Sequence, residues 1–377
     1  MSSLLFIPTY WSTETLQSWR VFDHPFDINE EGTLGRTLQN LVDIAYKEPI
    51  MILPVPCIKE ISEKVEKLCS NYSLPITVCT PVLLEKITKV LVLNGLDEKS
   101  LELISSYTYG GVRNIGISYA TLYNFENLIM IDDDECISAD YLEKALSHMG
   151  QTLDGQLILG KDGCVVDQCG KKTYYGQKGP WGDNWPKDEL FNEEILQYLE
   201  REETIYKSAL GFGGNMVLSR PLFTKVPFDP FVSRGEDDDY LLNCDYLGFK
   251  FFFDKDLLLL HLPPQRAKSF WSRQRQDIIR FLYVREKLNL MNIDRKDLGL
   301  FMTYFTAPDL EKKAVVSAVE AASTYILTNE EECRGFLNNA VIAVSSNLEE
   351  LQNKALAFME MIKVWQCVME NIKEIVF

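Results

Sequence analysis

Histidine is scarce in this sequence, with three in 377 residues, and base is short: Lys and Arg number 38 against 55 Asp and Glu, a formal net charge of −17. That deficit argues against nucleic acid or an anionic membrane surface as the main partner, because both reward excess Lys and Arg. It leaves open an anionic small ligand held by a metal and a few local bases. No run approaches the roughly 18–20 apolar residues of a spanning helix, and the longest candidate, from Phe251 to Leu260, is broken by Asp254, Lys255 and Asp256. Met1 to Pro8 has neither a basic n-region nor a long apolar h-region, so no signal peptide is expected. Nine cysteines are scattered without a CxxC pair, and the closest two, Cys164 and Cys169, read as free thiols before a metal or redox pair. A reduced, cytoplasmic setting is the expectation.

Alternation of short apolar runs with helical patterns fills the first part of the chain. Leu4–Ile7, Ile50–Leu53 and Ile76–Cys79 suit buried strands, and Glu30–Tyr46, Ile58–Cys69, Glu98–Ser105 and Val112–Tyr123 suit helices. Pro81–Leu93 fits either a helix or, at Val90-Leu91-Val92-Leu93, a strand. This order implies an α/β protein built from βαβ units around a largely parallel sheet. Asn192–Lys207 is expected to be an acidic helix. Gly160–Trp185, rich in Gly, Lys and aromatics, is expected to be a lid or loop, with Trp181 and Trp185 stacking on a sugar or anchoring the segment. Beyond Pro264 the pattern is helical, near 268–290, 310–327 and 348–375. Arg266, Lys268, Arg273 and Arg275 read as a counter-charge for a diphosphate or as a solvated helix face.

Chemistry concentrates in three places. Asn127-Leu128-Ile129-Met130-Ile131 runs straight into Asp132-Asp133-Asp134-Glu135. Acids crowded at a strand end repel one another unless a cation sits among them, and hard divalent ions take carboxylate and phosphate oxygens together. The alternative is a solvated acidic turn. The second place is Gly211-Phe212-Gly213-Gly214, followed by Arg234-Gly235-Glu236-Asp237-Asp238-Asp239. Acids are favoured at a helix start, but four exceed what capping needs, and one carboxylate is a candidate general base. The third is His261, closing the apolar run Leu257–Leu260, either a packed residue or a nitrogen ligand in a mixed O/N site suited to Mn²⁺.

Together these stretches resemble the GT-A-fold, nucleotide-sugar-dependent glycosyltransferases of the family-2 kind. Ile7-Pro8-Thr9-Tyr10 is similar to the end of the first, nucleotide-binding strand, and Arg113-Asn114-Ile115-Gly116 to the segment ahead of the metal motif. Ile131-Asp132-Asp133-Asp134 is similar to the DxD motif, and Gly211–Gly214 with Gly235–Asp239 resembles the acceptor segment of β-1,4-galactosyltransferases. The resemblance covers residues 1–262 as a catalytic domain and leaves 263–377 as an α-helical region that packs on it or forms a homodimer.

That resemblance implies a sheet with helices on both faces, and Mn²⁺ or Mg²⁺ held by Asp132, Asp134 and His261, with Asp133 as spacer. It implies a UDP- or GDP-sugar contacted by Pro8, Thr9, Tyr10, Arg113, Asn114, Asp132, Gly213 and Gly214. It implies Asp237 as the base on an acceptor hydroxyl, with inversion, and Glu236 holding sugar hydroxyls. The long stretch around His24 departs from the family's spacing. A retaining transferase, a non-catalytic sugar-binding relative and a sugar-1-phosphate nucleotidylyltransferase are the alternatives. The last expects a Gly-rich GxGTR loop directly after the first strand, whereas Gly32-Thr33-Leu34-Gly35-Arg36 lies well downstream of it.

Overall fold

In strand β1 (Ser3–Ser12) alternate side chains serve different cores: Leu4 and Phe6 join one apolar cluster, Leu5 and Ile7 another. The strand is therefore covered on both faces, as expected for the interior of an α/β sheet. The computed structural model describes residues 2–16, 21–23, 25–172, 179–264 and 269–372. His24, Arg266 and Lys268 lie outside them.

The first half is βα alternation. After β2 (Phe26–Asp27) come α1 (Leu34–Asp43), β3 (Ile50–Val55), α2 (Lys59–Cys69), β4 (Ile76–Val78), α3 (Pro81–Leu93), α4 (Tyr109–Leu122) and β5 (Asn127–Met130). Strands β2, β3 and β5 pair parallel to β1, and β4 parallel to β3. All six residues of β3 are buried, which is why the stretch is apolar without alternation. Pro81–Leu93 resolves as a helix: Pro81 opens it, and Thr80 caps it by accepting from the Leu83 amide.

The second half comprises β6 (Glu135–Cys136), α5 (Tyr141–Leu146), β7 (Thr152–Leu153), β8 (Gln156–Leu157), β9 (Gly160–Val166), α6 (Lys187–Leu199), β10 (Ile205–Lys207), β11 (Met216–Ser219), α7 (Arg220–Phe223), α8 (Glu236–Tyr246) and β12 (Phe252–His261). The sheet order is β10-β12-β9-β11-β5-β1-β3-β4, with β11 antiparallel to β5 and β6 pairing β12.

Two expectations are corrected here. Gly160–Val166 is an interior strand, not part of a lid; its polar Lys161 is buried because Asp254 meets it at 2.7 Å. The acidic helix stops at Leu199, and Ile205–Lys207 pairs with β12 instead. Trp181 and Trp185 are buried against Phe270 and Phe305, so they anchor their segment rather than offer a sugar platform.

The remaining helices are α9 (Phe270–Met291), α10 (Leu300–Phe305), α11 (Leu310–Tyr325), α12 (Glu330–Ser345), which the sequence reading passed over, and α13 (Leu348–Asn371). They share cores with the sheet: Trp365 and Val368 join the cluster of Leu4 and Phe6, while Phe281 and Phe305 join that of Phe212 and Phe253. No described helix is long and apolar enough to cross a membrane.

Candidate active site

Strand β5 delivers Asp132–Glu135 to the end of the sheet where β1 also finishes, the position at which open α/β sheets bind ligands. Two of the four acids turn inward. Asp133 is buried and accepts from the Thr9 hydroxyl, which itself accepts from Trp11 Nε1. Burial first, and Asp134 second, push the Asp133 carboxyl up to about 8. Glu135 is buried and accepts from the Asp132 amide at 2.6 Å. Thr37 Oγ1 stands 2.8 and 2.9 Å from the carbonyls of Asp133 and Glu135 and fixes the turn. Asp132 and Asp134 line the cavity together with Asp133, whose carboxylate is spent on Thr9.

His261 arrives by strand pairing. The antiparallel register sets His261 opposite Glu135, and its Nε2 lies 3.4 Å from Asp134 Oδ2. Burial works against the charged ring, but Asp134 and Asp132 outweigh it and raise its pKa. Among the described residues, no three His, Cys, Asp or Glu side chains form a ready-made metal cluster. The donor set still fits a hard divalent ion: carboxylate oxygens and one imidazole on one side, the rest of the coordination left to a ligand's phosphates, as Mg²⁺ sites usually are.

Helix α4 supplies the link to the second acid cluster. Gly116 lets it lie directly on β1, since a Cβ there would come within 2.9 Å of the Phe6 ring. One turn earlier, the buried Arg113 reaches the cavity. Its Nη2 donates to Asp132 at 3.0 Å and its Nε to Glu236 at 3.2 Å. A single guanidinium thus spans both acid clusters. Asn114, by contrast, is fully buried and exchanges two 2.8 Å hydrogen bonds with the Phe228 backbone, away from the cavity. Pro8 and Thr9 are also buried below the cavity floor, and of that trio only Tyr10 lines it.

The four acids that open α8 have four different partners. Glu236 holds Arg113, and burial followed by Asp237 pushes it up to about 7. Asp237, the half-exposed one, accepts from the Gly213 amide at 2.9 Å. Asp238 accepts from the Gly211 amide at 3.0 Å, and Asp239 binds the fully buried Lys287 at 2.7 Å. The Gly211–Gly214 segment therefore sits against the helix start: Gly213 bridges Arg113 and Asp237, and Gly214 abuts Glu135.

One cavity of about 310 Å³ joins these parts. Tyr10, Phe26, Tyr109 and Asp23 contribute an aromatic wall with a carboxylate, and Lys187, Arg234, Arg280, Phe191 and Phe301 contribute a cationic, aromatic one. Tyr109, Lys187 and Arg280 were missed by sequence reasoning, because nothing local marks them, and Arg234 stood out only as the start of its acidic stretch. Arg275, which that reasoning did mark, donates to Asn339 instead.

No family model matches the chain, and no curated protein does. Among solved structures it is similar to the mannosyltransferase PcManGT of Pyrobaculum calidifontis in complex with GDP-Man and Mn²⁺, with 11% identity and a TM-score of 0.48 over 97% of this chain and 86% of that one. It is also similar to a mycobacterial protein, at 12% identity and TM-score 0.43 over 78% and 76% of the two chains. A third is S. aureus TarS 1-349 in complex with UDP, at 11% and 0.40 over 98% and 90%. With TM-scores below 0.5, these likenesses add nothing to the reading of the site, which rests on its own geometry.

Proposed function

We propose that the chain is a metal-dependent glycosyltransferase that moves a sugar from a nucleoside diphosphate sugar to an acceptor hydroxyl. The observation that carries this is the facing of two acid clusters across one cavity, tied by Arg113, with a cation-demanding pair, Asp134 and His261, on one side and Asp237 on the other. Asp132, Asp134 and His261 are the residues that would hold Mn²⁺ or Mg²⁺. Such an ion, when bound, neutralises charge on a departing diphosphate. Tyr10 and Tyr109 offer ring faces, and Asp23 an acceptor, to a nucleobase.

Asp237 is the base. Its carboxylate takes the proton from the acceptor oxygen as that oxygen bonds to the anomeric carbon, while the carbon–oxygen bond to the diphosphate breaks on the opposite face. Inversion follows from that in-line arrangement. Glu236, paired with Arg113, accepts hydrogen bonds from hydroxyls of the bound sugar in this reading. A nucleotidylyltransferase is disfavoured, because β1 contains no glycine and Arg36, from the Gly32–Arg36 stretch, is spent on the Asp134 and Leu262 carbonyls.

Calorimetric titration of UDP and GDP, with and without Mn²⁺, tests the donor site. Binding of one nucleotide is expected to require the metal and to weaken by at least about tenfold in Asp134→Ala and in His261→Ala. Metal-independent binding that both variants leave intact would contradict the proposal.

A further inference from the structure

Arg280 is a buried guanidinium whose polar contacts are all long. It is 5% exposed and lines the cavity, yet its polar contacts are 3.4 Å to the Arg234 carbonyl, 3.7 Å to Asp238 and 4.0 Å to Asp277, and its Nε has no hydrogen-bond partner. Buried charges of this kind are ordinarily paired at hydrogen-bond distance. Its side chain lies over the rings of Phe281 and Phe301, at 4.2 and 5.7 Å. Lys187 lines the same cavity and spends one of its three donors on Asp277 at 2.8 Å.

A run of contacts links these cations to the two acid clusters. Asp132 contacts Arg113, Arg113 contacts Glu236, and Asp237 follows. Next comes Asp238, which meets Arg280, and then Asp277, which meets both Arg280 and Lys187. With the donor diphosphate on the Asp132–Asp134 side, the residue that follows Asp237, Asp238, is the one that meets Arg280. An acceptor with its hydroxyl at Asp237 then extends toward Arg280 and Lys187.

We propose that the acceptor carries an oxyanion, a phosphate ester or a carboxylate, and that Arg280 and Lys187 receive it. This rests on the transferase reading of the same site. Guanidinium and ammonium donors match such an oxyanion in charge and number, whereas a neutral acceptor leaves the Arg280 guanidinium with only its long contacts to Arg234, Asp238 and Asp277. Asp188 and Asp238 face the same space, and burial above all pushes both carboxyls up, Asp238 to about 7; Asp277, held low against its burial by Lys187, Arg234 and Arg280, is the carboxylate that meets both cations. Burial, then Arg234 and Arg280, lower Lys187 to about 8, a sign that the cations crowd one another there.

Matched acceptors decide it. Neutral monosaccharides and polyols, their phosphate esters and the corresponding uronic acids are offered to the Mn²⁺-loaded protein with a nucleotide sugar, and water-dependent hydrolysis and transfer are scored separately. The anionic members are expected to have KM values at least about tenfold below their neutral counterparts, with phosphate and carboxylate arms showing which oxyanion is preferred. Arg280→Met and Lys187→Met should each erase that difference while moving the KM for the nucleotide sugar less than about twofold; Arg280→Lys should restore part of it. Equal use of neutral and anionic acceptors, no acceleration by either, or a KM rise for the nucleotide sugar instead overturns the inference. Absence of any hydrolysis or transfer overturns the transferase reading itself, and this inference with it.

Discussion

Arg113 and Glu236 are 123 positions apart in the chain, yet Nε of one donates to Oε1 of the other at 3.2 Å. Both side chains are over nine-tenths buried. Removing one partner of a buried pair leaves an uncompensated charge, at a cost of about 3–5 kcal/mol. Arg113→Leu strands Asp132 as well, so urea unfolding should show a loss at the upper end of that range. Arg113→Lys, which reaches one carboxylate but not both, should lose less.

Neighbouring acids on α8 should separate chemistry from stability. Asp239 and Asp229 clamp Lys287, at 2.7 and 2.8 Å, with all three side chains at most 1% exposed. Asp239→Asn should therefore destabilise by about 3 kcal/mol. Asp237→Asn keeps an oxygen for the Gly213 amide and should change stability by no more than about 1 kcal/mol, while kcat falls about 10²- to 10⁴-fold. Denaturation curves and initial rates on the same two preparations check both halves.

Stability should also carry a pH signature from Asp238. Burial first, and Asp237 second, raise its carboxyl from 3.8 to about 7. The folded state therefore binds a proton that the unfolded state has released, and its contribution, fully present below about pH 4, is lost as pH rises through 7. Asp238→Asn removes this group. The fall in unfolding free energy between pH 4 and 7 should be shallower than wild type by about one proton, read from denaturation at several pH values.

Gly213 has little room beside the base. A Cβ there would stand 3.0 Å from Arg113 Nη2 and 3.3 Å from Asp237 Oδ2. Gly213→Ala should displace Asp237 by a few tenths of an ångström and lower kcat by roughly tenfold. Steady-state kinetics that show kcat unchanged would separate Gly213 from the alignment of the base.

The sequence was most legible where a signal is local. The apolar run of β5 ending in Asp132–Glu135 shows as a buried strand with crowded acids, and Glu236–Asp239 shows as a helix start. Which acid does what was not legible. The inward turn of Asp133 depends on Thr9, and the fate of Asp239 on Lys287, which lies 48 positions away. His261 meets Asp134 through the pairing of β12 with β6, a register that no local pattern specifies. Strand β9 escaped recognition because Lys161 and Asp162 sit at interior positions, where polar residues need distant partners to be tolerated. The cationic wall was invisible for the same reason: Lys187 and Arg280 come from different helices and converge only once α9 packs into the core it shares with the sheet.

Release of nucleoside diphosphate from a panel of UDP- and GDP-sugars, followed with Mn²⁺ and with EDTA, tests the central claim most directly. The account predicts metal-dependent turnover of at least one sugar nucleotide, yielding nucleoside diphosphate, abolished in Asp134→Ala and nearly so in Asp237→Asn. Pyrophosphate in place of nucleoside diphosphate, or turnover that EDTA and both substitutions leave unchanged, would contradict it.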